Sequence, residues 1–134
     1  MKKIITFAIA ILVLAASPAF AEIKITNLVA EIEDDGKEIA VFMTITNTGE
    51  DPDVLYSVKS TAAKDVKIMA GKMGANHSNA SGIGVPEKGS VELKEGGAHI
   101  GLEDLASPPK SGDVVEVTLF FEEAGKMVIK ATVK

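Results

Sequence analysis

The chain has 134 residues, with 14 lysines, 19 acidic residues and two histidines, but no arginine, cysteine or tryptophan. This length fits a single domain, and a net charge of −5 without a basic cluster excludes the electrostatic footprint of a nucleic-acid-binding protein. The absence of cysteine excludes disulfide bonds and thiolate chemistry, so the stability of the fold has to come from packing.

The first 21 residues have the pattern of a secretory signal peptide. Two lysines precede a 13-residue apolar run, Ile4 to Ala16, and Ala19-Phe20-Ala21 matches a small-x-small cleavage site. This run is too short to cross a bilayer, so we expect no integral membrane segment after cleavage. We expect residues 1–21 to be removed, leaving a soluble exported domain of residues 22–134 with 12 lysines, 19 acidic residues and a net charge of −7.

A period of two residues dominates the chain after residue 22, which is typical of β-strands with one buried face. In the first run the phase slips around Asn27, which predicts a β-bulge. Turn residues such as Asp35-Gly36 and Ser111-Gly112 separate the runs. About seven or eight short strands of this kind predict an all-β fold, a single antiparallel Greek-key sandwich or barrel. The alternating runs are residues 23–33, 39–46, 54–58, 66–68, 91–93, 115–121 and 127–133.

One stretch does not follow the strand-turn-strand scheme. Residues 71–90, GKMGANHSNASGIGVPEKGS, contain five glycines and little alternation apart from a short strand expected around 83–85. Irregular connections of this length in a small domain are usually functional or disordered. His77 lies in this loop, and His99 follows Gly96-Gly97 in a second turn-rich stretch. We therefore expect the functional residues in these two places.

Two methionines and two histidines are candidate metal ligands. Met69 shares its strand face with Lys67, which predicts an exposed thioether at the strand end, and Met73 lies in the Gly-rich loop, where no core is expected. With His77 and His99 they form a set of thioether and imidazole donors, which suits Cu(I). The alternative interpretation is that the histidines are ordinary surface residues and the methionines apolar filler.

Three stretches carry a resemblance to a known family. They are AVFMTITNTGEDPDVLYSVKSTAAKDVKIM, VELKEGGAHIGLEDL and SGDVVEVTLFFEEAGKMVIKATVK. Together they resemble the PCu(A)C-type periplasmic copper chaperones over nearly all of Glu22 to Lys134. The resemblance implies a cupredoxin-like β-barrel in the periplasm that binds Cu(I), catalyses no reaction, and delivers the ion to an acceptor such as cytochrome c oxidase.

The metal motif of that family departs from this sequence at several positions. The motif runs His or Met, ten residues, Met, twenty-one residues, His, one residue, Met. His99 matches the third ligand, His77 stands where a Met is expected, and Gly101 takes the place of the last Met. Met69 takes the first ligand's place after a shortened loop. The resemblance thus implies a Cu(I) site rebuilt from Met69, His77 and His99, with Met73 assisting.

The departure from the family's metal motif has two alternative consequences. Replacing Met by His hardens the ligand set, which predicts weaker discrimination of Cu(I) from Cu(II) or Zn(II). Alternatively the motif has lapsed, and the same barrel is a metal-free protein-interaction module whose Gly-rich loop contacts a partner.

Overall fold

The computed structural model describes residues 22–69 and 82–134. These residues form nine β-strands and one 3₁₀ turn at Asp34–Gly36. Because residues 1–21 lie outside the described part, the predicted signal peptide stays a prediction. The strands are β1 (Ile23–Glu33), β2 (Glu38–Asn47), β3 (Asp53–Ser60), β4 (Ala63–Met69), β5 (Ile83–Val85), β6 (Gly89–Leu93), β7 (His99–Leu105), β8 (Val114–Phe121) and β9 (Gly125–Thr132).

The strands form two antiparallel sheets. The first has the order β1-β2-β7-β4, with β6 also paired to β2, and the second has the order β5-β3-β8-β9. Strand β2 is long enough to pair along one edge with β1 and to share its other edge between β7 and β6. An isolated parallel bridge between Ala30 and Val133 joins the two sheets along one side. This architecture confirms the predicted all-β antiparallel fold.

The core lies between the sheets and follows the period-two pattern. Ile39, Val41, Met43 and Ile45 on β2 are at most 3 % exposed. They lie beside the inward side chains of β7 and face those of the second sheet, because alternate residues of a strand point to opposite faces. The same alternation sends the intervening residues of β2 and β7 to the outer face of the first sheet.

The predicted bulge in β1 is confirmed. The pairing of β1 with β2 shifts register between Thr26 and Val29. Asn27 adopts a left-handed φ of 53°, which asparagine tolerates better than most residues, and its Nδ2 donates a hydrogen bond to Thr44 Oγ1 at 3.2 Å. The bulge lets both halves of β1 keep their apolar side chains inward.

The outer face of the first sheet is not uniformly exposed to solvent. Ala40 and Phe42 point away from the core, yet they are only 2 % and 7 % exposed. They form the floor of a cleft that also includes Met69, Gly97 and His99. The fold therefore places an apolar-floored cleft where β2, β4 and β7 meet.

Candidate metal centre

The structure brings together two of the four predicted ligands. Met69, the last residue of β4, lies directly opposite His99, the first residue of β7. Side chains at directly opposed positions have Cβ atoms about 4.5–5.5 Å apart. Met73 and His77 lie outside the described residues, so their part in the site stays a prediction.

Met69 is half-buried and not the freely exposed thioether that its strand position predicts. The reason lies in the neighbouring strand, where Gly101 has no side chain. Met69 Cγ lies 3.5 Å from the point that a Cβ on Gly101 would occupy. The Met69 side chain therefore leans over β7 into the cleft that it shares with His99.

The His99 ring has a fixed orientation. Its Nδ1 lies 3.1 Å from the carbonyl oxygen of Gly97. Because a carbonyl only accepts hydrogen bonds, Nδ1–H is the donor, and the neutral ring keeps its free lone pair on Nε2. The ring centroid lies 6.0 Å from that of Phe42, and the side chain is 16 % exposed. A backbone acceptor on the far nitrogen is the usual way to orient a metal-binding imidazole.

Glu38 is a residue of the site that sequence reasoning missed. Its Oε2 lies 3.8 Å from His99 Nε2 and only 2.8 Å from the Cβ position of Gly101. The carboxylate therefore fills the space left by the missing side chain. One signal was present in the sequence: Glu38 is in phase with Ala40 and Phe42, on the outer face of β2.

The electrostatic surroundings of Glu38 are unfavourable for its charge. Burial raises the pKa of Glu38 above its ordinary value, and the nearby carboxylates of Glu103, Glu33 and Asp34 raise it further, while His99 acts in the opposite direction. Across residues 22–69 and 82–134, His99 is the one ion-pair partner of this carboxylate. A cation bound beside this carboxylate would offset the unfavourable effects of burial and of the neighbouring carboxylates on its charge.

The cleft has a volume of about 440 Å³ and an acidic rim. Within the described part of the chain it offers one thioether, one imidazole nitrogen and the carboxylates of three glutamates, of which Glu38 lies beside His99. These donor types suit a transition-metal ion of soft to intermediate character. The lining residues are Glu33, Glu38, Ala40, Phe42, Met69, Glu95, Gly96, Gly97 and His99.

Sequence comparison identifies a family and one relative. The family model described as "Putative lipoprotein LpqE-like" matches residues 13–133. The "Putative lipoprotein Lxx21020" of Leifsonia xyli subsp. xyli (strain CTCB07) is 29 % identical over 99 residues, which are 71 % of this chain and 60 % of that protein. The chain thus matches about 60 % of the length of this curated relative.

Comparison with solved structures finds PCuAC domains of similar fold. The copper-bound PCuAC domain from PmoF2 has a TM-score of 0.73 and 28 % identity, over 87 % of this chain and 95 % of that domain. The apo PCuAC domain from PmoF1 has a TM-score of 0.74 and 29 % identity, over 86 % and 95 %. The Cu(I) form of DR1885 from Deinococcus radiodurans, at 22 % identity and a TM-score of 0.64 over 93 % and 85 %, supports the fold alone.

These matches confirm the fold class and the resemblance stated from the sequence. In the part of the chain that the structure describes, no helical segment has the length and apolar character to traverse a bilayer. The chain belongs to the LpqE-like family and is related to the PCuAC-type copper chaperones.

Proposed function

We propose that this protein is a periplasmic copper chaperone that binds Cu(I) through methionine and histidine side chains and hands it to an acceptor protein. The observation that carries the proposal is the direct pairing of Met69 with His99 at the mouth of one cleft. The Nδ1 contact with Gly97 leaves His99 Nε2 available to a metal. The copper-bound relative of similar fold supports the same function.

The geometry suits a carrier of copper. Thioether sulfur is a soft ligand preferred by Cu(I), and imidazole is also a copper ligand. Both donors stand at strand ends beside an open cleft, so an incoming acceptor can replace them one at a time. Glu33 and Glu95 on the rim add negative potential that raises the local concentration of cations. We expect His77 and Met73 to complete the ligand set, and an oxidase such as cytochrome c oxidase to be the acceptor.

The test is an anaerobic Cu(I) competition titration of the purified protein against a chromophoric chelator. We expect one copper ion per chain. His99→Ala and Met69→Leu should each lower the Cu(I) affinity at least about tenfold, or about 1.4 kcal/mol, because each removes one donor. Met127→Leu is the matched control, since Met127 packs against the core from β9 in the other sheet and should leave the affinity unchanged. An unchanged affinity of the His99 variant would eliminate the proposed site.

A further inference from the structure

The carboxylate of Glu38 and the imidazole of His99 present two lone pairs to each other. His99 uses Nδ1–H for the Gly97 carbonyl, so Nε2 of the neutral ring has no proton to offer. The separation of 3.8 Å from Nε2 to Glu38 Oε2 is also too long for a hydrogen bond. Two acceptors in this arrangement repel each other unless a cation lies between them.

The width of this gap fits a metal ion. Metal–imidazole and metal–carboxylate bonds to a divalent transition metal are each about 2.0–2.2 Å long. Two bonds of this length span 3.8 Å at a bent ligand–metal–ligand angle. Met69 Cγ lies 3.5 Å from the Cβ position of Gly101, the same point that Glu38 Oε2 approaches, so the thioether is close enough to be a further donor.

We propose that Glu38 is an oxygen ligand of the copper site, and that it makes the site able to hold Cu(II) as well as Cu(I). This inference rests on the proposed function and specifies its ligand chemistry. A thioether at position 101 would favour Cu(I), whereas a carboxylate over Gly101 favours the harder Cu(II) ion. Where the family motif implied by the resemblance has a soft thioether, this chain has the hard carboxylate of Glu38 over Gly101.

The position of the Glu38 carboxylate depends on Gly101. Any side chain at position 101 would approach Glu38 Oε2 to 2.8 Å at its first carbon, so the carboxylate can lie there only because residue 101 has no Cβ. Glu38 begins β2, and its register partner on β7 is Glu103. Its side chain therefore reaches along the sheet from the level of Glu103 towards His99, away from the like charge and towards the candidate ligand.

The experiment measures Cu(I) and Cu(II) affinities separately, by anaerobic and aerobic competition titration, for the wild type and for Glu38→Gln. We expect Glu38→Gln to lower the Cu(II) affinity at least about tenfold and to change the Cu(I) affinity by less than about threefold. Glu116→Gln is the matched control, because Glu116 lies on β8 in the other sheet, outside the cleft, and the variant loses the same charge. It should leave both affinities within about threefold.

Three further measurements separate ligation from charge and from folding. Glu38→Asp keeps the charge but withdraws the oxygen by one methylene, and it should weaken Cu(II) binding as Glu38→Gln does. The electron paramagnetic resonance spectrum of the Cu(II) form should change in both Glu38 variants and not in Glu116→Gln. Circular dichroism of each variant verifies that the sheet is intact.

The results separate a failure of copper binding from a failure of Glu38 as a ligand. A wild type that binds neither Cu(I) nor Cu(II) would overturn the proposed function. A wild type that binds Cu(I) but not Cu(II) would overturn only the inference about Glu38. Copper binding with an unchanged Cu(II) affinity in Glu38→Gln would also overturn it, and would leave the carboxylate as an ion-pair partner of the protonated imidazole.

Discussion

Two acidic residues, each at the start of a strand, show how differently this fold uses a carboxylate. Asp53 at the start of β3 is 1 % exposed. Its Oδ1 accepts hydrogen bonds from the backbone N–H groups of Val54 and Glu123 at 2.8 Å, and its Oδ2 accepts one from Ala124 at 3.0 Å. Glu38 at the start of β2 has a side chain that is 19 % exposed and faces an imidazole across a gap of 3.8 Å.

These surroundings make Asp53 a structural carboxylate and leave Glu38 available to a ligand. The three backbone donors of Asp53 satisfy it and tie β3 to the turn between β8 and β9, so it has little to gain from a metal ion. Glu38 has no such donors within the described residues, and Glu103, Glu33 and Asp34 disfavour its charge. We therefore expect substitutions of the two residues to differ in their effects on stability and on copper binding.

We expect the largest effect from Asp53→Ala, which should lower the free energy of unfolding. The variant leaves three backbone N–H groups without their acceptor in a partly buried setting, and each unsatisfied buried donor costs about 1–3 kcal/mol. We expect a loss of about 3 kcal/mol in the free energy of unfolding, measured by equilibrium urea denaturation. That is a large part of the roughly 5–15 kcal/mol by which domains are stable.

Glu38→Ala is the counterpart. Because it removes a carboxylate whose charge is disfavoured and which ties down no backbone group, the free energy of unfolding should change by less than about 1 kcal/mol. An equal loss of stability in the two variants would contradict the distinction between a structural and a ligand-binding carboxylate.

We expect a smaller effect from Gly101→Met, which should change the relative affinities of the site for Cu(I) and Cu(II). The new side chain would displace the end of the flexible Glu38 side chain, whose Oε2 lies 2.8 Å from the Cβ position, and would place a thioether there. We expect the fold to persist, the Cu(II) affinity to fall about tenfold and the Cu(I) affinity to rise. Separate titrations with the two ions measure this change.

Gly84→Met in β5 is the matched control. A Cβ on Gly84 would meet no atom of the described residues within 4 Å, and β5 belongs to the other sheet. This variant should bind both ions as the wild type does. A Gly101→Met protein with the wild-type preference between Cu(I) and Cu(II) would show that Glu38 does not determine that preference.

Local pattern was sufficient to predict most of the fold. Alternation identified the long strands, the phase slip at Asn27 predicted the bulge, and the short strand at Ile83–Val85 was expected between turn residues. Each of these features depends on residues that are close in the sequence. The burial of Ala40 and Phe42 was not predicted, since it depends on what the outer face of the first sheet meets in space.

The site was less accessible to sequence reasoning. Met69 and His99 were singled out for their donor chemistry, and only the resemblance to a known family suggested that they meet. Glu38 was missed because its contact with His99 depends on the register of β2 against β7, two strands that are remote in the chain. The role of Gly101 could not be predicted either, because it depends on the Glu38 side chain that lies over it.

X-ray absorption at the copper edge shows whether Met69, His99 and Glu38 converge on one copper ion. We expect sulfur and imidazole scattering in the Cu(I)-loaded wild type, with the sulfur contribution reduced in Met69→Leu. We also expect oxygen to contribute more in the Cu(II) form and less in Glu38→Gln. A copper ion bound without sulfur or imidazole, or spectra identical in the wild type and both variants, would contradict this convergence.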